Sequence, residues 1–504
     1  MQVLSDTKDL LRSAVAQIFG FAGRLVARAG FILIAADQYG DASLGVLGII
    51  AAISEIAVAL GVLGLKRSLL DQLSELAETG RNIGARVTEA IIISTMFGVI
   101  ISCALLFIWP HILPSKPLIW ACLFFMIPCN VFSEIALTAI KYKRVVRWDV
   151  WARSIAESWV LFILAALFLA LGWKDIGLPL AYAISLFFVT AIAGTGLIKN
   201  YSRQELRTQW KGWAHILEIP KRSYKVGITD IGTMALRRID LIVMSVFVSP
   251  SVAGLYFMIQ QIATLSQRIP ALFEPMLSPI LARLHNQRKV DGIRSNLTSI
   301  CRWVFIITLS LSMPLIIFGD QVLSLFNPVF IVGGGVLAVI LVAELIEGTF
   351  ISVETPLIFK HPKIPPTLII STLIIEIVLI VILTQYWGIM GTAMGFLISM
   401  IYLSVLRLFF LKSKIDVNVI SKDYILPVII AILLTAGLLA IRSTVIALPR
   451  WVLGLVIIGS VILYIGMIRL FALSHSDKFF LRILSRNKNK AQRTKVGTLK
   501  NKDT

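Results

Sequence analysis

The sequence predicts an all-α integral membrane protein of about fourteen transmembrane helices. Two six-helix lobes are expected, related as parallel repeats around a central cavity, with two further C-terminal helices. Three observations lead there. Of 504 residues, 57% are apolar and only 15% charged, whereas soluble domains carry about 25% charged residues. Mean hydropathy is +0.86, and the apolar residues fall in runs near the ~20 that a spanning helix needs. Basic residues, finally, crowd into every second connection between those runs.

Taken in order, the apolar runs place spans at 11–36, 42–65, 86–109, 117–140, 150–172 and 176–198, then at 223–248, 251–282, 296–318, 331–355, 366–387 and 389–411, with a closing pair at 424–441 and 451–473. The expected domains are an N-lobe over 1–200, a cytoplasmic linker over 201–222, a C-lobe over 223–412, the terminal pair within 413–473, and a basic cytoplasmic tail over 474–504. Lys and Arg in the even-numbered connections and the two termini number 33, and on the opposite side there are four: Lys116, Lys174, Arg442 and Arg450. Positive charge collects in cytoplasmic loops, so both termini are expected in the cytoplasm. The net charge of +20 is thereby a matter of topology and does not call for nucleic acid. The polar start, Met1 to Leu10, shows no removable signal peptide.

Segments 24–48 and 233–257 look like copies at a shift of 209 residues: Arg28 falls on Arg237, Asp41 on Pro250 and Gly45 on Gly254. A second match pairs Gly177-Leu-Pro-Leu-Ala181 and Ile184-Ser185 with Gly391-Thr-Ala-Met-Gly395 and Ile398-Ser399. Small residues four apart permit close helix packing, which accounts for such a pattern structurally. Six spans per copy is an even number, so both copies enter from the same side, as parallel repeats do.

Charges inside spans are costly, so deep ones should face protein or water. Arg12, Lys225, Arg302, Arg407 and Arg469 lie near cytoplasmic ends and are expected to snorkel. In span 1, Gln17, Gly20, Arg24 and Arg28 form a polar stripe at helical spacing. Span 7 repeats the theme with Asp230, Thr233 and Arg237, plus Arg238, and span 8 adds Gln260, Gln261, Thr264, Gln267 and Arg268. Together these would line a cationic, hydrogen-bonding cavity. Guanidinium suits phosphate because its planar fork donates two hydrogen bonds to one anionic group. The competing reading is internal neutralisation, Arg237 by Asp240 at i+3 and Arg153 by Glu157 at i+4. Among the intramembrane acids, Glu344, Glu347 and Glu354 share roughly one face of span 10, and Glu55, Glu134, Asp230 and Glu376 are others. Asp230, Glu344 and Glu347 are the candidates for binding a coupling proton or sodium ion. Pairing with arginine or helix packing is the preferred reading for each taken alone.

No phosphate-binding glycine loop, nucleophile motif or metal-ligand spacing occurs: the five histidines are scattered, and Cys103, Cys122, Cys129 and Cys301 sit in apolar runs. No catalytic residue, metal site or cofactor is expected, which leaves transport rather than catalysis.

Several residues resemble the polysaccharide and O-antigen flippases of the multidrug/oligosaccharidyl-lipid/polysaccharide (MOP) exporter superfamily. They are Gln38-Tyr39-Gly40 and Gly61 to Arg67 in the first half. In the second they are Arg238-Ile-Asp240, Ala253-Gly254-Leu-Tyr256, Pro279-Ile-Leu-Ala282, Phe318-Gly319 and Gly388-Ile-Met-Gly391. The similarity runs from about residue 10 to 420. It implies a bacterial inner-membrane protein that moves undecaprenyl-pyrophosphate-linked repeat units outward by alternating access. Carried over, Arg24, Arg28, Arg237 and Arg268 would engage the pyrophosphate, and Gln17, Gln260, Gln261 and Gln267 the sugar. Spans 13 and 14 would offer a groove for the lipid tail. Expected partners are the lipid-linked oligosaccharide, membrane lipids and the polysaccharide polymerase machinery.

Two other readings remain. A cation-coupled multidrug antiporter of the same superfamily would favour acids and aromatics in its pocket, whereas arginines dominate spans 1, 7 and 8. A membrane glycosyltransferase or polymerase predicts a large extracytoplasmic loop carrying acids or His, and each such loop here is short. Arg28→Ala and Arg237→Ala are expected to impair export, and Arg442→Ala to be silent.

Overall fold

A computed structural model describes residues 23–79, 82–112, 117–207, 213–287, 289–444 and 449–471. The described chain is helical, with no strand among the described residues. Each of the fourteen expected spans, over the residues described, falls mainly on helix, and the protein is an all-α integral membrane protein. Among the described residues, ten stretches are long and apolar enough to cross a bilayer unaided. One of them, Ile364–Ile415, has 52 residues and breaks at Gly388 (φ 55°, ψ −137°), so it supplies two spans joined without a loop. At the neighbouring Gly391 a Cβ would strike the backbone of Leu383, so the turn demands glycine at both positions.

The helices over 23–39, Trp213–Leu236 and Pro250–Asn286 are those in which the sequence places its polar stripes. Lipid would not solvate such helices, so their polar residues must be covered by protein or by water.

The chain forms two compact units. The first comprises Met1–Met258, Phe326–Phe330 and Ile369–Gly395. Here α1 (Asp41–Val62) ends in a left-handed pair, Leu63 and Gly64. A Cβ at Gly64 would meet the backbone of Gly227, so the chain turns tightly into the amphipathic helix α2 (Leu65–Glu78). Leu65, Leu69 and Leu73, spaced four apart, are fully buried with Ile135 and Ile140 of α3 (Pro117–Tyr142). Ser68 and Gln72, buried beside these leucines, hydrogen-bond to Ser223.

The repeat is visible in this unit as a reciprocal contact. A Cβ on Gly45 would collide with the carbonyl of Pro250, and a Cβ on Gly254 with the carbonyl of Asp41. Positions 41 and 250 are themselves repeat partners, as are 45 and 254. Residue i of one copy meeting j of the other, and j meeting i, is what a local two-fold axis between them produces.

The second unit comprises Ile259–Leu325, Ile331–Leu368 and Phe396–Thr504. Its centre is α4 (Val290–Ile317), in which Leu297, Ile300, Cys301 and Val304 are buried beside Val353, Leu357 and Leu411. The terminal helices α5 (Ile425–Thr444) and α6 (Arg450–Phe471) pack on α4 and on each other. Only 22% of each terminal span is buried against 67% of α4, so the pair is peripheral. Its outer face, with Ile432, Leu433, Leu455 and Ile462, is open to lipid.

Three arginines differ from expectation. Arg302 is buried and donates to the Asp423 carbonyl at 3.1 Å instead of reaching for water. Arg407 is 4% exposed and is clamped by two carboxylates, Glu354 at 2.8 Å and Glu347 at 3.3 Å. Arg442 bonds the Ile317 carbonyl at the end of α4 and the Asp320 carboxylate at 2.7 Å. The first two lie too far inside the packing to snorkel, and the third fastens α5 to α4, so its removal should be felt.

Candidate functional site

In the first unit the helix over 23–39 lies against the helix Arg147–Ala170. Two glycines make the approach close: Gly23 faces the Trp159 indole, and a Cβ at Gly30 would stand 2.9 Å from the Phe162 ring. Tyr39 donates to the Ala165 carbonyl at 2.7 Å and fixes the far end. Both helices depart from α geometry, with π segments at Ala35–Tyr39 and Val150–Val160. Such widened turns recur at functional sites, since they re-aim side chains.

At this seam the Arg24 guanidinium faces Glu157 at 3.7 Å. Arg28, one turn on, lies in the field of Glu157, Arg24, Glu55 and Tyr182. Glu55, from α1, is gripped at both oxygens by Arg238, at 2.5 and 3.4 Å. Asp240 accepts from the Tyr256 hydroxyl at 2.7 Å and from the Leu241 backbone N–H at 2.8 Å. The electrostatic reach of Arg238 extends to Asp240, and that of Asp240 to Glu376. Two ion pairs, Arg24 with Glu157 and Arg238 with Glu55, thus lie in the first unit, with Arg28 in the field of both acids.

Arg237 is the exception among these arginines. It is half-buried, and among the described residues no carboxylate and no hydrogen-bond acceptor holds its guanidinium. Its own i+3 acid, Asp240, is taken by Tyr256 and by the start of its own helix. Arg153 is neutralised, though by Glu134 at 2.8 Å and Asp149 at 3.1 Å rather than by Glu157.

Of the coupling candidates, Asp230 pairs with Arg67 at 3.3 Å. In the second unit Glu344 accepts from Gln267 at 2.6 Å, and Glu347 joins Glu354 on Arg407. The tight turn Ile351–Val353 separates Glu354 from the helix carrying the other two. Gln260 is buried, Gln261 half-buried and Arg268 exposed, all in this unit. Gln17 and the tail over 474–504 lie outside the described residues.

Glu376 has no exposed surface, and neither of its carboxyl oxygens has a hydrogen-bond partner among the described residues. A carboxylate so placed must be neutralised, by a proton or by a bound cation. The sequence identifies Glu376 as an intramembrane acid and favours pairing. The roles of Glu55, Glu157 and Arg238 were hidden in it because their partners are remote, 183 residues apart for Glu55 and Arg238.

No protein-family model matches the sequence, and a search of curated proteins finds no match. Among solved structures the fold is similar to that of the lipid II flippase MurJ in an inward closed conformation. Identity there is 14%, coverage 91% of this chain and 99% of the other, and TM-score 0.69. It is also similar to an inward-facing multidrug resistance MATE family transporter of the MOP superfamily, at 13% identity, 80% and 98% coverage and TM-score 0.60. A third is a MOP superfamily transporter from Pyrococcus furiosus described as having a binding pocket of reverse polarity, at 14% identity, 81% and 96% coverage and TM-score 0.56. At such identities the likeness establishes the fold shared with MOP superfamily transporters.

Proposed function

We propose that the protein is a flippase. It moves undecaprenyl-pyrophosphate-linked oligosaccharide units across the bacterial inner membrane by alternating access and serves surface-polysaccharide assembly. The observation that carries this reading is Arg237: a half-buried guanidinium at the turn between the helices Trp213–Leu236 and Ile239–Met244, with no anion partner among the described residues. Keeping such a charge inside a membrane is expensive unless an anion is brought to it. A pyrophosphate diester carries two charges and matches the bidentate fork. Arg24 and Arg28 belong to the same pyrophosphate set, with Arg268, while Gln17, Gln260, Gln261 and Gln267 contact sugar. The fold supports transport of a lipid-linked substrate, since one protein of like fold is a lipid II flippase.

Asp230, Glu344 and Glu347 each have a partner, so Glu376 is the better place for a coupling proton or cation. Both termini and the 201–222 linker are cytoplasmic in this reading, with lobes at 1–200 and 223–412. The test is deletion of the gene. Surface polysaccharide should be lost, and lipid-linked units should accumulate on the cytoplasmic face. Unchanged polysaccharide, or heightened sensitivity to cationic drugs as the sole phenotype, would reject it.

A further inference from the structure

The arginines of the seam are not waiting empty. Arg24 already has a carboxylate before it, Glu157 at 3.7 Å, and Arg28 lies within the field of the same group. That separation is beyond hydrogen-bond length, and both side chains keep about a quarter of their surface exposed, 24% and 25%. It is a loose pair, and looseness is what an exchangeable counter-ion requires. By contrast Glu55 is gripped by Arg238 at 2.5 Å, and Glu134 by Arg153 at 2.8 Å and Lys66 at 3.2 Å.

Resting on the flippase reading for the identity of the anion, we infer that Glu157 is the resident counter-ion of Arg24 and Arg28: an incoming pyrophosphate displaces it, and the freed carboxylate takes up a proton. The groups facing Glu157 decide its fate. Arg24 and Arg28, from the helix over 23–39, turn to the phosphates. Arg153, on its own helix, is already held by Glu134 and Asp149. Tyr182, from the helix Gly177–Asn200, is a neutral phenol in the same field. Glu55, from α1, is a further negative charge, occupied by Arg238. Glu157 is thus left with no free cation and with two new negative charges nearby. Both changes favour its neutral form. A proton from water ends on a Glu157 oxygen, so one proton enters for each anion bound, and each release returns it.

The linkage is read by calorimetry on the detergent-solubilised full chain. The titrant is farnesyl-pyrophosphoryl-N-acetylglucosamine, whose diester keeps constant charge near neutral pH, and buffers of differing ionisation enthalpy count the protons. The wild-type protein should take up about one proton per ligand, with affinity falling about tenfold per pH unit between the pKa of the arginine-paired acid and the higher pKa of the freed one. Glu157→Gln should bind at least as tightly and take up none, while Glu157→Asp should keep the uptake. Binding by the wild type without proton uptake overturns the linkage alone. Uptake that persists in Glu157→Gln but vanishes in Glu55→Gln overturns the assignment to Glu157. No binding of the probe to the wild type overturns the substrate reading, and this linkage with it.

Discussion

Two adjacent arginines, Arg237 and Arg238, should respond in opposite ways to the same substitution. Replacing Arg238 by Gln strips Glu55 of both its hydrogen bonds, at 2.5 and 3.4 Å. Breaking a fully buried pair costs about 3–5 kcal/mol, and an exposed pair about 0–1 kcal/mol. With 18% and 30% of the two side chains exposed, the cost here should lie between, at about 1–3 kcal/mol. Arg237→Gln removes no interaction seen among the described residues, so its effect on stability should stay within about 0.5 kcal/mol. What it should lose is anion binding. A hydrogen bond to a charged group contributes about 1.5–3 kcal/mol, equivalent to roughly 10- to 150-fold in affinity for a pyrophosphate-linked ligand. Thermal melting in detergent and membrane abundance report the first quantity, and ligand titration with export in cells the second. Equal loss of abundance in the two variants would refute the reasoning, as would full export by Arg237→Gln.

Three further outcomes follow from the packing. Arg407→Met should sharply lower the amount of folded protein, since two carboxylates lose their shared cation; adding Glu347→Gln and Glu354→Gln should restore much of it, and a stable single variant would disprove the clamp. Arg442→Ala, expected from sequence to be silent, should loosen α5 from α4, measured as faster hydrogen exchange at the end of α4 with export little changed. Outside the spans, Glu205 accepts from the Ser202 backbone N–H at 2.7 Å, which, with Lys143, lowers its pKa. A lowered carboxyl pKa stabilises above the unfolded value and is lost as pH falls through the folded one, so the protection of the short helix Arg203–Leu206, corrected for the intrinsic exchange rate at each pH, should fall in acid and hold in base.

The fold was nearly all present in the sequence, because span length and the alternation of loop charge are local quantities that one chain reveals. The repeat was legible for the same reason, in the shared offset of Arg28, Gly45 and their partners. The site was legible only in its residue types. Arg24, Arg28 and Arg237 look alike along the chain, yet one has a loose acid before it, another lies among several charged groups and the third has no partner among the described residues. What separates them is Glu157, Glu55 and Asp240, brought in from other helices. The competing intrahelical pairings, Arg153 with Glu157 and Arg237 with Asp240, lose to groups across a helix seam, Glu134 and Asp149 for Arg153 and Tyr256 for Asp240. Snorkelling failed for Arg302 and Arg407, whose helices are enclosed by protein where the sequence shows merely proximity to a span end.

The meeting of Gly45 and Gly254 has an evolutionary edge. Each position is closed to any larger residue by a carbonyl belonging to the other copy, so the two halves cannot drift apart at that spot however far their remaining sequence diverges. After duplication, a side chain gained on either side would wedge both. The pair is therefore where the shared ancestry of the halves should persist longest, and where a search for more distant kin should begin.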